Sequence, residues 1–311
     1  MSTILEKFLE KPERMKMGAG KLSKRYNTDK ETIVKAREEA RNILSGKVSW
    51  NGIPKVLIFD IETAPLMAYV WQHSVWNANI SADKIISEWF MLTWSAKWLF
   101  NDDIMSARLT SKEVLAEDDS RITGKIWKLL DEADIVLAHN ARKFDIPNLQ
   151  TRFLLHGLNP PKPYRQIDTL LVVRREFGFT HNNLNALAKV LGLGQKVDTN
   201  FQLWKDCLKG SEKALKKMEE YNKQDVLLLE EVYLVLLPWI KSHPNVGLYL
   251  DTHVSVCSSC GSNQIEKYGM YVTNASKFQA YKCGECHAIS RSRINCQSKE
   301  HRQNLLLPIA R

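Results

Sequence analysis

Four consecutive apolar residues, Val56 to Phe59, run directly into two acids one residue apart, Asp60 and Glu62. An unbroken apolar run reads as a strand buried on both faces, which requires a sheet covered by other layers on either side. Side chains at i and i+2 of a strand share a face, so both carboxylates point the same way. At about 4 Å, two like charges repel by roughly 4 kcal/mol in a surface-like dielectric. The pair therefore needs a proton, a cation or bulk water, and a strand running out into a loop often ends in solvated acids.

The pattern that follows alternates strand and helix. In "ISEWFMLTWSAKWLF", Trp89, Met91 and Thr93 fall on one face and Phe90, Leu92 and Trp94 on the other, which predicts an interior strand with its Trp residues in the core. A helix around Arg121 to Leu130 leads to the buried strand "ADIVLAHN" and then to a helix through Leu149, Phe153 and Leu158. Strand "QID", helices "TLLVVRREF" and "LNALAKVLGL", and a long helix from about Lys213 to Leu237 follow. The expected fold is α/β: a mixed sheet with helices on its faces, joined to a helical N-terminal extension and a small C-terminal module. The boundaries expected are residues 1–50, 51–245 and 246–311.

Charge separates these regions. The chain of 311 residues carries a net charge of +9, with 44% hydrophobic and 25% charged residues, an ordinary globular composition. Residues 1–50 hold 12 Lys and Arg against 7 Asp and Glu, residues 51–250 hold 24 against 24, and residues 251–311 hold 8 against 4. A neutral middle between basic ends suits a polyanion gripped by appendages. No run of 18 apolar residues and no secretory signal pattern occurs, so a cytoplasmic protein that is neither secreted nor membrane-bound is expected.

At the N-terminal end, Thr28 followed by Glu31 has the form of a capping box opening a helix to about Leu44. With a short helix from Leu22 to Tyr26 and a turn at Asn27, the segment is helix-turn-helix-like, though two small helices packing on a neighbour would share the pattern. At the other end, "CSSC" and "CGEC" place Cys257, Cys260, Cys283 and Cys286 in two C-x2-C pairs, each beside a glycine. This spacing predicts a zinc ribbon with one structural Zn²⁺, built on strands in "YGMYVTN" and "FQAYKC". His287 and Cys296 are alternative ligands, and Cys207 reads as a buried apolar residue. The segment "HAISRSRINCQSKEHRQN" reads as a basic tail able to track phosphates.

Three more stretches bear on the acid pair. In "HNARKFDIP", Asp145 stands at a helix N-terminus just past a strand, and Pro147 suits the first helical turn. In "EEYNKQDVLLLEE", Leu215, Met218, Asn222, Val226, Leu229 and Val232 recur at helical spacing, so Tyr221 and Asp225 are i, i+4 neighbours beside a buried stripe. Asp168 in "RQIDTLL" is a third acid at a strand end, better suited to capping the next helix than to holding a metal.

"FDIET", "HNARKFD" and "YNKQD" resemble the three motifs of the DEDD superfamily of 3′-to-5′ exonucleases, whose fold is ribonuclease H-like, and Tyr221 marks the DEDDy branch. Over roughly residues 54–240 the order and spacing are most similar to the proofreading domains of family B DNA polymerases. The resemblance implies that Asp60, Glu62, Asp145 and Asp225 hold two Mg²⁺ or Mn²⁺ ions and that Tyr221 orients the attacking water or the scissile phosphate. Thr63 and Leu66 would contact the terminal nucleotide, whereas Asn140 would either brace its loop or touch substrate. Phe144 is expected in the core, and no role is expected for His139. The implied activity is hydrolysis of phosphodiester bonds at nucleic-acid 3′ ends, with DNA preferred. An exoribonuclease with the same site and a nucleic-acid-binding protein with a silent nuclease centre are the alternatives.

Overall fold

The computed structural model describes residues 4–10, 19–34, 36–37, 54–71, 79–193, 199–250, 252, 254–307 and 309. Near the N-terminus, helices α1 (Ile4–Glu10) and α2 (Ala19–Tyr26) and the helical residues 30–34 and 36–37 bury Phe8, Leu22, Ile33 and Ala36 together. Asn27 makes the expected turn in the left-handed region, at φ 49°. The helix cap, however, is Asp29 and not Thr28: its carboxylate accepts the Thr32 N–H at 2.7 Å and the Thr32 hydroxyl at 2.5 Å. The ionised carboxylate meets each donor with a separate oxygen, and its charge suits a helix N-terminus better than a neutral hydroxyl does. The remainder of the helix expected to reach Leu44, and most of the linker after it, lie outside the described residues.

The centre is a five-stranded sheet. Its strands are β1 (Val56–Thr63), β4 (Met91–Trp98), β5 (Met105–Arg108), β6 (Ile135–Ala138) and β7 (Arg165–Asp168), ordered β5-β4-β1-β6-β7. The β5-β4-β1 half is antiparallel and the β1-β6-β7 half parallel, so the sheet is mixed as expected. A two-stranded ribbon, β2 (Met67–Ala68) with β3 (Ile85–Ser87), lies between β1 and β4 in the chain. Between the strands run α3 (Ser111–Leu115), α4 (Ser120–Glu132) and α5 (Asp145–Leu155); after β7 come α6 (Thr169–Glu176), α7 (Leu184–Leu191), α8 (Phe201–Leu208) and α9 (Glu212–Leu236). Among the described residues, no helix is long and apolar enough to cross a membrane.

β1 shows why the run Val56 to Phe59 has no polar interruption. Leu57, Phe59 and Ile61 join one core with Ile126, Leu149 and Phe153 from α4 and α5. Val56 and Ile58 join a second core on the opposite face with Leu187, Val226, Leu229 and Val232 from α7 and α9. Burying each such side chain contributes about 1.5–3 kcal/mol. Asp60 and Glu62 continue the Val56 and Ile58 face by the two-residue period, so they point toward the side on which α9 lies. The register against β4 slips between Glu62 and Thr63, a bulge that bends the strand end directly beside the acids. β4 is interior, as its two apolar faces predicted, but it also carries Lys97, buried and paired with Glu230 of α9.

The C-terminal region forms a second sheet, antiparallel, ordered β10-β9-β8 from β8 (Ile265–Val272), β9 (Lys277–Cys283) and β10 (Ile289–Asn295), followed by α10 (Lys299–Gln303). Part of the segment expected as a basic tail is strand: in β10, Ile289, Ser290 and Arg291 pair with Lys282, Tyr281 and Ala280. The polar alternation of β10 belongs to an edge strand. This sheet carries the four cysteines at its base, where Cys286 packs against the second core.

Candidate active site and cysteine centre

α9 brings the distant acid to β1. Ser211 caps its start, accepting the Ala214 N–H, and the stripe Leu215, Met218, Val226, Leu229 and Val232 seats the 25-residue helix on the sheet. Asp225 is thereby buried next to the β1 acids, and carboxylate oxygens of Asp60, Glu62 and Asp225 all lie within 4.8 Å of one another. Tyr221, one turn earlier, is buried with its ring edge-to-face against Trp204 of α8, centroids 6.3 Å apart. Asn222 counted only as part of the stripe in the sequence. It is 0% exposed, and its amide donates to Asp60 Oδ2 at 2.6 Å. An amide interrupting an otherwise apolar stripe, beside two functional candidates, was the available signal.

Asp145 stands somewhat apart from that trio. It opens α5 and is 1% exposed. Burial raises its pKa to about 7, opposed only in part by its own backbone amide and that of Ile61, and increased slightly by Asp168. Neither of its oxygens makes a well-formed hydrogen bond. Ile61 lies between Asp60 and Glu62, so this fourth carboxyl faces the same stretch of β1. A buried carboxyl with no adequate partner is a costly arrangement unless a proton or cation satisfies it. Hard oxygen donors as close as those of Asp60, Glu62 and Asp225 fit a divalent cation of the magnesium or manganese kind, and Asp145, outside that trio, is a fourth carboxyl that could assist in holding it.

Asp168 explains how Asp145 is held. As predicted it caps the following helix, accepting Leu170 N–H at 3.0 Å and Leu171 N–H at 3.3 Å. It also accepts Asn140 N–H at 3.1 Å and Arg142 N–H at 3.0 Å, tying the loop that leads to Asp145 onto the end of β7. Asn140, at φ 79°, makes the turn out of β6, and its backbone is part of this brace. His139 does have a role. Its Nε2 meets the Asn182 carbonyl at 2.9 Å, which can only accept, so Nε2 carries the proton, and its Nδ1 meets the Thr169 hydroxyl at 2.8 Å. Phe144 is corrected from core to surface at 39% exposed, because Asp145 and Ile146 take the inward positions at the start of α5. Thr63 lies at the bulged end of β1, and Leu66 is exposed just beyond it. Cys207 is fully buried, as expected of an apolar residue, and burial with the nearby Asp206 and Glu62 carboxylates raises its thiol to about 12.

The second centre is the cysteine group. Sγ atoms of Cys257, Cys260, Cys283 and Cys286 lie within 4.8 Å of one another, with Cys257 to Cys286 and Cys260 to Cys283 each at 3.6 Å. Sulfurs 2.3 Å from a tetrahedral zinc would stand about 3.8 Å apart, so the set fits that ion. His287 and Cys296 are not members of the group. Backbone amides of Ser259 and Glu285 point at Cys257 and Cys283, each at 3.4 Å. The residue after each pair is left-handed: Gly261 at φ 78° and His287 at φ 60°. Gly261 is also closely packed, since a Cβ would stand 3.0 Å from side-chain carbons of Leu250 and Val246. In the second knuckle Gly284 lies within the turn 284–286, as "CGEC" suggested, while the left-handed residue is His287.

A family profile described as the RNase H superfamily matches residues 57–237, more than half of the chain. The chain belongs to the RNase H superfamily. Among curated proteins it is similar to Protein NEN2 of Arabidopsis thaliana, 30% identical over 115 residues, which is 34% of this chain and 22% of that protein. The chain thus covers about a fifth of that relative's length. Asp60, Glu62 and Asp225 all fall within the span that the superfamily profile matches.

Proposed function

We propose that this RNase H superfamily member is a metal-dependent 3′-to-5′ exonuclease of the DEDDy type that prefers DNA. The observation that carries the reading is the approach of Asp60, Glu62 and Asp225 to within 4.8 Å, from two elements about 160 residues apart, with Tyr221 one turn from Asp225. In this reading Asp60, Glu62, Asp145 and Asp225 hold two Mg²⁺ or Mn²⁺ ions. Such a pair, when bound, activates water and stabilises charge on the attacking and leaving oxygens.

The chain's own groups do the positioning. Asn222, through its hydrogen bond to Asp60, would fix the orientation of that carboxylate toward a bound ion. The Tyr221 phenol, set by Trp204, is the group that aligns the water or the scissile phosphate. In the same reading Thr63, the last residue of β1, and Leu66, exposed just beyond it, contact the terminal nucleotide. The three regions 1–50, 51–245 and 246–311 would act as a helical appendage, the catalytic domain and a zinc ribbon with one structural Zn²⁺ on Cys257, Cys260, Cys283 and Cys286.

Incubation with Mg²⁺ and single-stranded DNA or RNA, labelled at either end, tests the proposal. Stepwise shortening from the 3′ end of DNA is expected. Asp60→Ala and Asp225→Ala are expected to lower hydrolysis by at least about 1,000-fold while leaving binding largely intact. Shortening of RNA alone would move the preference to RNA. Binding without shortening, or wild-type rates in both variants, would end the nuclease assignment.

A further inference from the structure

One face of the C-terminal sheet alternates aromatic rings with cations. Phe278, Ala280 and Lys282 share a face of β9 by the two-residue period. Their cross-strand partners join them: Tyr271 opposite Phe278, Glu266 opposite Lys282, Arg291 opposite Ala280. The guanidinium of Arg291 sits 4.1 Å from the Phe278 ring centroid and 5.5 Å from that of Tyr271, and Lys282 Nζ is 5.5 Å from the Tyr268 centroid.

Tyr268 and Tyr271 share this face only because the strand is irregular. Three residues separate them, which in a regular strand would put the two rings on opposite sides. The β8 register slips between Lys267 and Met270, with Gly269 at φ 69°. That bulge inserts one extra residue and returns Tyr271 to the side of Tyr268. A glycine is what permits the left-handed turn. Both rings remain open, Tyr268 at 51% and Tyr271 at 50% exposed.

Charge indicates the occupant. The three strands hold Lys267, Lys277, Lys282, Arg291 and Arg293 against Glu266 alone, a balance of +4, with Lys282 and Arg291 on this face and Lys267 and Lys277 on the other. Among the described residues none of these five cations forms an ion pair with a carboxylate. Half-exposed aromatic rings interleaved with unneutralised cations match a strand with stackable bases and a phosphate backbone. In a duplex the base faces are already stacked on one another, so exposed aromatic rings can stack only on unpaired bases.

We propose that this face is a stacking platform for single-stranded nucleic acid, with bases on Tyr268 and Tyr271 and phosphates along Lys282 and Arg291. The inference deepens the nuclease reading by giving it a second grip on the strand, yet its test does not require hydrolysis. The full chain carrying Asp225→Asn, so that strands stay intact, is titrated by fluorescence anisotropy with labelled oligothymidylate and with an abasic strand of equal length. Tyr268→Ala and Tyr271→Ala should each weaken oligothymidylate binding by about 5- to 150-fold and leave the abasic strand unaffected. Arg291→Gln should weaken both and reduce the salt slope by about one. Tyr→Leu at the same positions, keeping apolar bulk without an aromatic ring, should reproduce the loss if either alanine variant misfolds. Oligothymidylate binding unchanged in the tyrosine variants, or lowered equally with both strands, would overturn the platform. Absence of hydrolysis by the wild-type chain would overturn only the nuclease reading.

Discussion

Asp145 is where the chemistry and the stability of the fold oppose each other. Its carboxyl has a pKa raised to about 7 from 3.8, chiefly by burial. The folded state therefore holds the proton more tightly than the unfolded chain, and stability falls as the pH climbs from about 4 through about 7. Asp145→Asn keeps the shape and removes the charge. In magnesium-free buffer at about pH 8 it should be more stable than the parent by roughly 1–3 kcal/mol, a gap that closes below about pH 4, while hydrolysis is lost. Urea unfolding at the two pH values checks this, and a destabilised variant at high pH would contradict it. Single residues were legible in the sequence to differing degrees. The acids and Tyr221 stood out because functional groups interrupted apolar runs at readable spacing. Asn222 and His139 did not, because a buried polar residue is recognised by its partners, and Asp60, Thr169 and the Asn182 carbonyl are remote in sequence or belong to the backbone.

Among elements, the loop between β6 and α5 depends on a carboxylate from β7. Asp168 accepts four backbone N–H groups, two from that loop and two from the start of α6. Asp168→Ala should cost about 2 kcal/mol and also slow hydrolysis at saturating Mg²⁺, because the segment carrying Asp145 loses its tether. Asp168→Asn, which retains one acceptor oxygen, should restore part of both losses. An Ala variant that is destabilised yet fully active would show that the brace serves the helix only. The start of α3 gives a pH signature instead. Glu113 takes Arg121 at 2.6 Å and the Thr110 N–H at 2.7 Å in a capping box. The Arg121 hydrogen bond, then that of Thr110, hold its pKa down to about 2. A depressed carboxylate contributes stability that is complete above about pH 4.5 and disappears as the pH falls toward about 2. Glu113→Gln should cost about 1 kcal/mol near neutrality and nothing near pH 2, as read from unfolding midpoints. Helices α4, α5 and α9 were legible from their apolar periodicity. β10 was not, since a polar edge strand and a solvated tail have the same composition.

For the molecule as a whole, the cysteine group and the five-stranded sheet rely on different sources of stability. The sheet has two cores, whereas the second cluster beside the cysteines is small: Cys257, Cys283 and Ala288 are its buried members. Bound zinc could contribute on the order of 10 kcal/mol to such a module. Native mass spectrometry should find one zinc per chain. Stripping it, or Cys283→Ser, should abolish amide-exchange protection in β8, β9 and β10 while β1, β4 and β6 stay protected. Protection unchanged after complete zinc removal would show that the small sheet stands without metal. By itself the sequence determined the buried strands β1, β4 and β6, the helices α4, α5 and α9 and which acids end them, because two-residue and 3.6-residue periodicities and apolar runs are local properties. It also determined the four-cysteine spacing. Tertiary structure decided what meets across long distances: that α9 delivers Asp225 to β1, that Asp168 ties the Asp145 loop, and that a bulge at Gly269 puts Tyr268 and Tyr271 on one face. Those outcomes depend on packing angles and strand register, which arise only when the elements bury one another's apolar faces.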